Sequence, residues 1–147
     1  FVDGTSMVPN FQDGDYLIID ELTFRFRQPQ RGEVIVFKFP QNESSYFIKR
    51  IIGLPGDTVE IKNGVVSVSN AESPDGIQLA ENYLISKTPG DVKTILQKGE
   101  YFVLGDNRTM SYDSRSWGVL PSKNIVGLVR LRLWPINSAQ AIVAPQY

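Results

Sequence analysis

The chain has 147 residues, of which 41% are apolar, enough for one folded unit with a hydrophobic core and too apolar for a disordered segment. Lysine and arginine number 15 against 16 acidic residues, a formal net charge of −1, which excludes the electrostatic footprint of a nucleic-acid binder. Histidine and cysteine are both missing, so Ser-His-Asp triads, thiol nucleophiles, disulfides and the usual zinc sites are excluded.

Taken in chain order, the sequence is β throughout. Short runs rich in β-branched and aromatic residues predict strands over 15–20, 33–39, 46–52, 58–61, 65–68, 101–104 and 125–134. Turn chemistry separates them, at Asp13-Gly14, Arg31-Gly32, Pro55-Gly56-Asp57, Asn63-Gly64 and Lys98-Gly99. Asn63-Gly64 between two apolar runs is the strongest hairpin signal and predicts a type I′ turn. Arg130, Arg132 and Trp134 alternate with Leu131, Leu133 and Pro135, as on a strand with two unlike faces. No stretch carries a sustained helical period. One domain over 1–147 is expected, with residues 69–98, polar and rich in turns, as an insertion or long excursion. The longest apolar runs, such as 125–129, fall far short of the roughly 20 residues of a membrane helix. The chain opens on Phe1 rather than Met, and an upstream segment carrying any anchor is expected.

Three clusters can carry chemistry. In Gly4-Thr5-Ser6-Met7-Val8-Pro9 a serine sits between a glycine and a proline-ended turn, where backbone N–H groups can gather around an acyl-transfer nucleophile. The same segment also reads as an ordinary turn serine, and it is not a Gly-x-Ser-x-Gly elbow, since Val8 stands at the last glycine. In Tyr46-Phe47-Ile48-Lys49-Arg50-Ile51-Ile52-Gly53 a strand puts Phe47, Lys49 and Ile51 on one face and Ile48, Arg50 and Ile52 on the other. Burial among such neighbours disfavours the charged amine and lowers its pKa. Bringing it to about 7 takes roughly 4 to 5 kcal/mol, after which Lys49 could take the Ser6 proton. A snorkelling lysine with its head in water is the alternative. The third cluster, residues 105–118, crowds Asp106, Arg108, Ser111, Asp113 and Arg115 into one loop. Asp106 with Arg108 and Asp113 with Arg115 are close enough for bidentate pairs, and a hydroxyl of this loop could orient the lysine. A solvated loop held by Asx-turns is the other reading.

Together the clusters resemble the type I signal peptidases, Ser-Lys proteases that remove signal peptides from exported proteins. Residues Ser6-Met7-Val8-Pro9 resemble that family's nucleophile box and Gly14-Asp15-Tyr16-Leu17-Ile18 its second box. Residues 31–37 and 46–57 resemble the lysine box, and Gly105-Asp106-Asn107-Arg108 with Ser111, Asp113, Ser114 and Arg115 the last. Residues 69–98 join only weakly, through Glu81-Asn82-Tyr83. The resemblance implies Ser6 as nucleophile, Lys49 as general base, Ser111 as the hydroxyl that bonds and orients Lys49, and Asp113 with Arg115 as a supporting ion pair. The Ser6 N–H would donate to the oxyanion. At Gly4, where some members carry a serine, a second donor would have to be backbone or water. Val2, Met7 and Ile48 would line the first of two shallow pockets that accept the small residues of an Ala-x-Ala site. Asn10 and Thr109-Met110 depart from the family's usual residues without removing a catalytic group. The implied fold is an all-β, partly barrel-like set of antiparallel sheets of the signal-peptidase/LexA-like kind. No cofactor and no metal are implied. The implied partners are signal-peptide-bearing preproteins and a membrane lipid surface, with no nucleic acid. The place of action would be the extracytoplasmic face of the cytoplasmic membrane. The sequence sets no oligomeric state. A LexA-like self-cleaving repressor is a rival, disfavoured because no Ala-Gly and no helix-turn-helix pattern occur. A catalytically silent β-rich binding module is another.

Overall fold

Runs of β-branched and aromatic residues become strands in the computed structural model, which describes residues 2–134 and 139–147. In chain order these are β1 (Tyr16–Asp20), β2 (Val34–Phe39), β3 (Asn42–Gly53), β4 (Thr58–Lys62), β5 (Val65–Ser69), β6 (Ile77–Gln78), β7 (Val92–Ile95) and β8 (Glu100–Leu104). A one-turn helix α1 (Ser114–Trp117) follows, then β9 (Leu120–Pro121), β10 (Ile125–Trp134) and β11 (Gln140–Ala141). Each run read as a strand coincides with or overlaps one. The alternation read through Pro135 reaches outside the described residues. Asn63 and Gly64 both take positive φ, 53° and 80°, as a type I′ turn requires, and they close the β4–β5 hairpin with Lys62 opposite Val65.

Two antiparallel sheets result. The first runs β1-β10-β2-β3-β8-β9, with β11 added to β10, and the second runs β6-β5-β4-β7. Neither closes into a barrel among the described residues, so the all-β, antiparallel expectation holds without its closure. Strand β3 is central to the first sheet. It pairs with β2 from Asn42 to Arg50 and with β8 only from Arg50 to Gly53, so among the described residues its stretch before Arg50 has a free edge on the β8 side.

The core explains the order of the strands. Ile35, Phe37, Ile51, Tyr101, Val103 and Leu120 bury one face of the first sheet, and Ile52, Val59, Ile61, Phe102 and Leu104 join the sheets on the other. Each such side chain contributes roughly 1.5–3 kcal/mol when fully buried. The excursion over 69–98 is tied into this core. Its Leu79 and Leu96 belong to the cluster of Ile52 and Phe102, and β6 and β7 pair with β5 and β4. Among the described residues no helix is long and apolar enough to cross a membrane.

Candidate active site

Ser6 lies in a tight stretch of turns before β1. Gly4, at φ 97°, supplies a left-handed turn that a residue with a Cβ rarely adopts. Its N–H donates to Asp13 Oδ1 at 2.8 Å, so that N–H is already engaged. Val8 N donates to Thr5 O and Phe11 N to Met7 O, which holds the segment around the serine. Met7, fully buried, packs with Phe11, Val34 and Val129, with Ile48 against the same cluster. No hydrogen bond among the described residues takes the Ser6 N–H.

Lys49 comes to Ser6 from β3. Opposite Ile35 in the β2–β3 register, it shares the face that buries Ile51, and only 5% of it is exposed. Its Nζ donates to Ser6 Oγ at 2.7 Å and lies 5.3 Å from the centre of the Phe47 ring. Burial lowers its pKa from an ordinary 10.5 to about 8, against the charges of Asp113 and Asp106, which pull it back up. Desolvation therefore wins over two carboxylates, which makes the amine a usable base near neutral pH. A neutral amine can accept the Ser6 proton along the line of the existing contact. The solvated, snorkelling alternative does not describe this side chain.

The loop after β8 closes around the pair. Asn107 N donates to Ser6 O at 2.8 Å and Asn107 Nδ2 to Thr5 O at 3.0 Å. Gly105 is the seat of the site. A Cβ there would lie 2.5 Å from Ser111 Cβ and 2.6 Å from Ser6 O, so the serine backbone and Ser111 meet where a side chain is missing. Asp113, fully buried, accepts from Gly105 N at 3.0 Å, from Arg115 N at 3.2 Å and from both Arg115 Nε and NH2, at 2.9 and 2.8 Å. That bidentate pair forms as expected from the sequence. Ser111 Oγ is buried with no hydrogen-bond partner among the described residues. The bond from Ser111 to Lys49 that the resemblance implies is thus not made here, while Nζ donates to Ser6 Oγ.

One expected pair is corrected. Asp106 does not pair with Arg108. It takes Arg50, with Nε–Oδ1 at 2.9 Å and NH2–Oδ2 at 2.7 Å, while Arg108 pairs with Glu81 at 2.6 Å. The reason is register: Arg50 faces Leu104 across β3 and β8, which brings Asp106 to a buried guanidinium that needs a counter-charge. Of the pocket residues, Met7 and Ile48 come together, whereas Val2 is buried apart from that cluster and bonded to Asp15 and Gly14. The sequence names Gly105, Asn107 and Glu81 within the resembling segments but gives none of them a role. A glycine ending a strand, the sign of close backbone approach, was the available signal for the first.

Known proteins are similar to this chain over most of its length. The family described as "Signal peptidase, peptidase S26" matches residues 1–134. A signal peptidase I from Leptolyngbya laminosa is 39% identical, with 93% of this chain and 68% of that protein covered. A probable signal peptidase I-2 from Synechocystis is 40% identical, with 92% and 62% covered. The chain thus spans about two thirds of the length of these relatives. A crystal structure of a signal peptidase I from Enterococcus faecalis superposes at a TM-score of 0.59 and 32% identity, over 69% of this chain and 97% of that one.

Proposed function

Because this chain belongs to the signal peptidase family, peptidase S26, we propose that it is a serine endopeptidase that removes N-terminal signal peptides from exported proteins by a Ser6–Lys49 dyad. One observation carries the reading: a buried amine 2.7 Å from a serine hydroxyl, in a chain without histidine.

Ser6 Oγ attacks the scissile carbonyl as neutral Lys49 takes its proton, and the Ser6 N–H donates to the developing oxyanion. The ammonium then gives its proton to the leaving amine. Water, activated by the same lysine, releases the acyl group. Ser111, whose hydroxyl has no competing partner, takes an N–H of the lysine once Ser6 Oγ has turned to the substrate, and Asp113 with Arg115 braces the loop. The substrate lies as an added strand on the free edge of β3 before Arg50. Small residues at the first and third positions before the cut fit shallow pockets, the first lined by Met7 and Ile48, which pack in one cluster. The domain works as one unit against the membrane surface, on its extracytoplasmic face, where such preproteins emerge.

The test is cleavage of a peptide bearing an Ala-x-Ala site, with detergent or lipid present. Wild type should turn over, with loss of about 10²–10⁴-fold or more for Lys49→Ala and for Ser6→Ala. Near-normal rates in either variant remove the dyad. A wild type without turnover removes the peptidase reading and favours a binding module.

A further inference from the structure

The catalytic loop is held from outside by a chain of buried and part-buried polar contacts that the proposed mechanism does not use. Arg108, fully buried, donates from Nε to Gly105 O at 2.8 Å, directly at the glycine where Ser6 and Ser111 meet. Its other donors go to the excursion, NH1 and NH2 to the two oxygens of Glu81 at 3.1 and 2.6 Å and NH1 to Thr88 Oγ1 at 2.8 Å. Glu81 Oε2 also accepts from Tyr83 OH at 2.8 Å. Tyr83 OH and Tyr147 OH lie 2.7 Å apart. A phenol has one proton, and Tyr83 has given its own to Glu81. Tyr147 must therefore be the donor to Tyr83, and the bonds converge on the Glu81 carboxylate, which accepts from Tyr83 on one side and from Arg108 on the other, while Arg108 also donates to Gly105 O.

Tyr83 grips the other side of the loop as well. Its ring lies 4.2 Å from the Arg50 guanidinium, the partner of Asp106. Its carbonyl accepts from Asn10 Nδ2 at 3.0 Å, and that amide also donates to Asp106 Oδ2 at 2.8 Å. Burial raises both phenols, Tyr147 to about 12 and Tyr83 further, so neither gives up its proton in the working range. A buried network with every member satisfied is stiff, and one with a member removed is left with uncompensated groups. Tyr147 lies beyond the residues matched to the family, so this end of the chain of contacts is not part of what membership implies.

We infer that Glu81, Tyr83 and Tyr147 form a clasp that positions the catalytic loop, holding Gly105 against Ser6 and keeping water from Lys49. Glu81 is its decisive positioning residue, because its carboxylate is the ion-pair partner of the buried guanidinium from which Gly105 hangs. The inference rests on the peptidase reading for its kinetic readout and on the Lys49 environment for an independent one. The charges acting on Lys49 are those of Asp113 and Asp106, and the clasp substitutions leave both in place. A change in the Lys49 midpoint therefore reports access of water.

The experiment compares Glu81→Gln, Tyr83→Phe and Tyr147→Phe with wild type. It reads kcat and KM on the Ala-x-Ala peptide and the midpoint of Lys49 by NMR titration. Glu81→Gln should lower kcat about tenfold with KM within twofold, and should move the midpoint from about 8 toward 10.5. Tyr83→Phe and Tyr147→Phe should shift it in the same direction by less. A wild-type midpoint in all three overturns the clasp, even where folded protein is lost, since a merely structural role lowers the amount of native enzyme and not the midpoint. Should Glu81→Gln not fold, Tyr147→Phe carries the same test by losing a single hydroxyl. Should wild type lack turnover, the peptidase reading fails and the NMR midpoints still decide the clasp.

Discussion

Lys49→Met should inactivate the protein and stabilise it. Lys49 is 5% exposed, and its pKa falls from 10.5 to about 8 on folding. At about 1.36 kcal/mol per tenfold change, this sets about 3 kcal/mol against the folded state at pH 7. The sign follows from linkage. The folded value lies below the unfolded one, so between about pH 8 and 10.5 the unfolded chain holds a proton that the folded chain has released, and stability rises with pH across that window. Below pH 8 both states are protonated and the penalty is full. Methionine matches the volume and carries no charge, but it forfeits the bond to Ser6 Oγ, about 1 kcal/mol. A net gain of about 2 kcal/mol at pH 7 remains, which corresponds to a rise in Tm of about 6 °C for a chain of this size. Urea unfolding of both proteins at pH 7 and near pH 10.5 measures it. The gain should disappear at the higher pH. A variant less stable than wild type at pH 7, or a difference that does not change with pH, would refute the reasoning.

Two other substitutions probe the frame around the dyad. Gly105→Ala places a methyl group 2.5 Å from Ser111 Cβ and 2.6 Å from Ser6 O, and misplacement of about 1 Å should lower kcat about 100-fold. A kcat within about threefold of wild type would show that the loop yields freely. Asp106→Asn leaves the Arg50 guanidinium buried without its counter-charge, a loss of about 3–5 kcal/mol by urea unfolding. It also removes one of the two charges that hold the Lys49 pKa up, so the midpoint of the pH–rate profile should move down. A midpoint that rises would contradict that assignment.

The site was legible where chemistry is local in sequence, and illegible where it depends on register. Ser6, Lys49 and the Asp113–Arg115 pair sit in segments whose residue types already restrict their use, and strand alternation alone puts Lys49 and Arg50 on opposite faces. The partner of Asp106 could not be read this way. Proximity in sequence favoured Arg108, while the β3–β8 pairing delivers Arg50 from 56 residues away. The pairing of Glu81 was hidden for the same reason, since it meets Arg108 across 27 residues from a segment with few regular elements. The two-residue strands β6, β9 and β11 carry no period that a sequence pattern can reveal. Polar, turn-rich composition made residues 69–98 look peripheral, although two of their apolar residues, Leu79 and Leu96, enter the core.

The most direct measurement is a heteronuclear NMR titration of the Lys49 amine, assigned by its disappearance in Lys49→Met. We expect a midpoint at about 8, with a further response in Ser6→Ala, which removes its hydrogen-bond partner. A midpoint at 10.5, unchanged when Ser6 is replaced, would mean a solvated ammonium that cannot activate the serine.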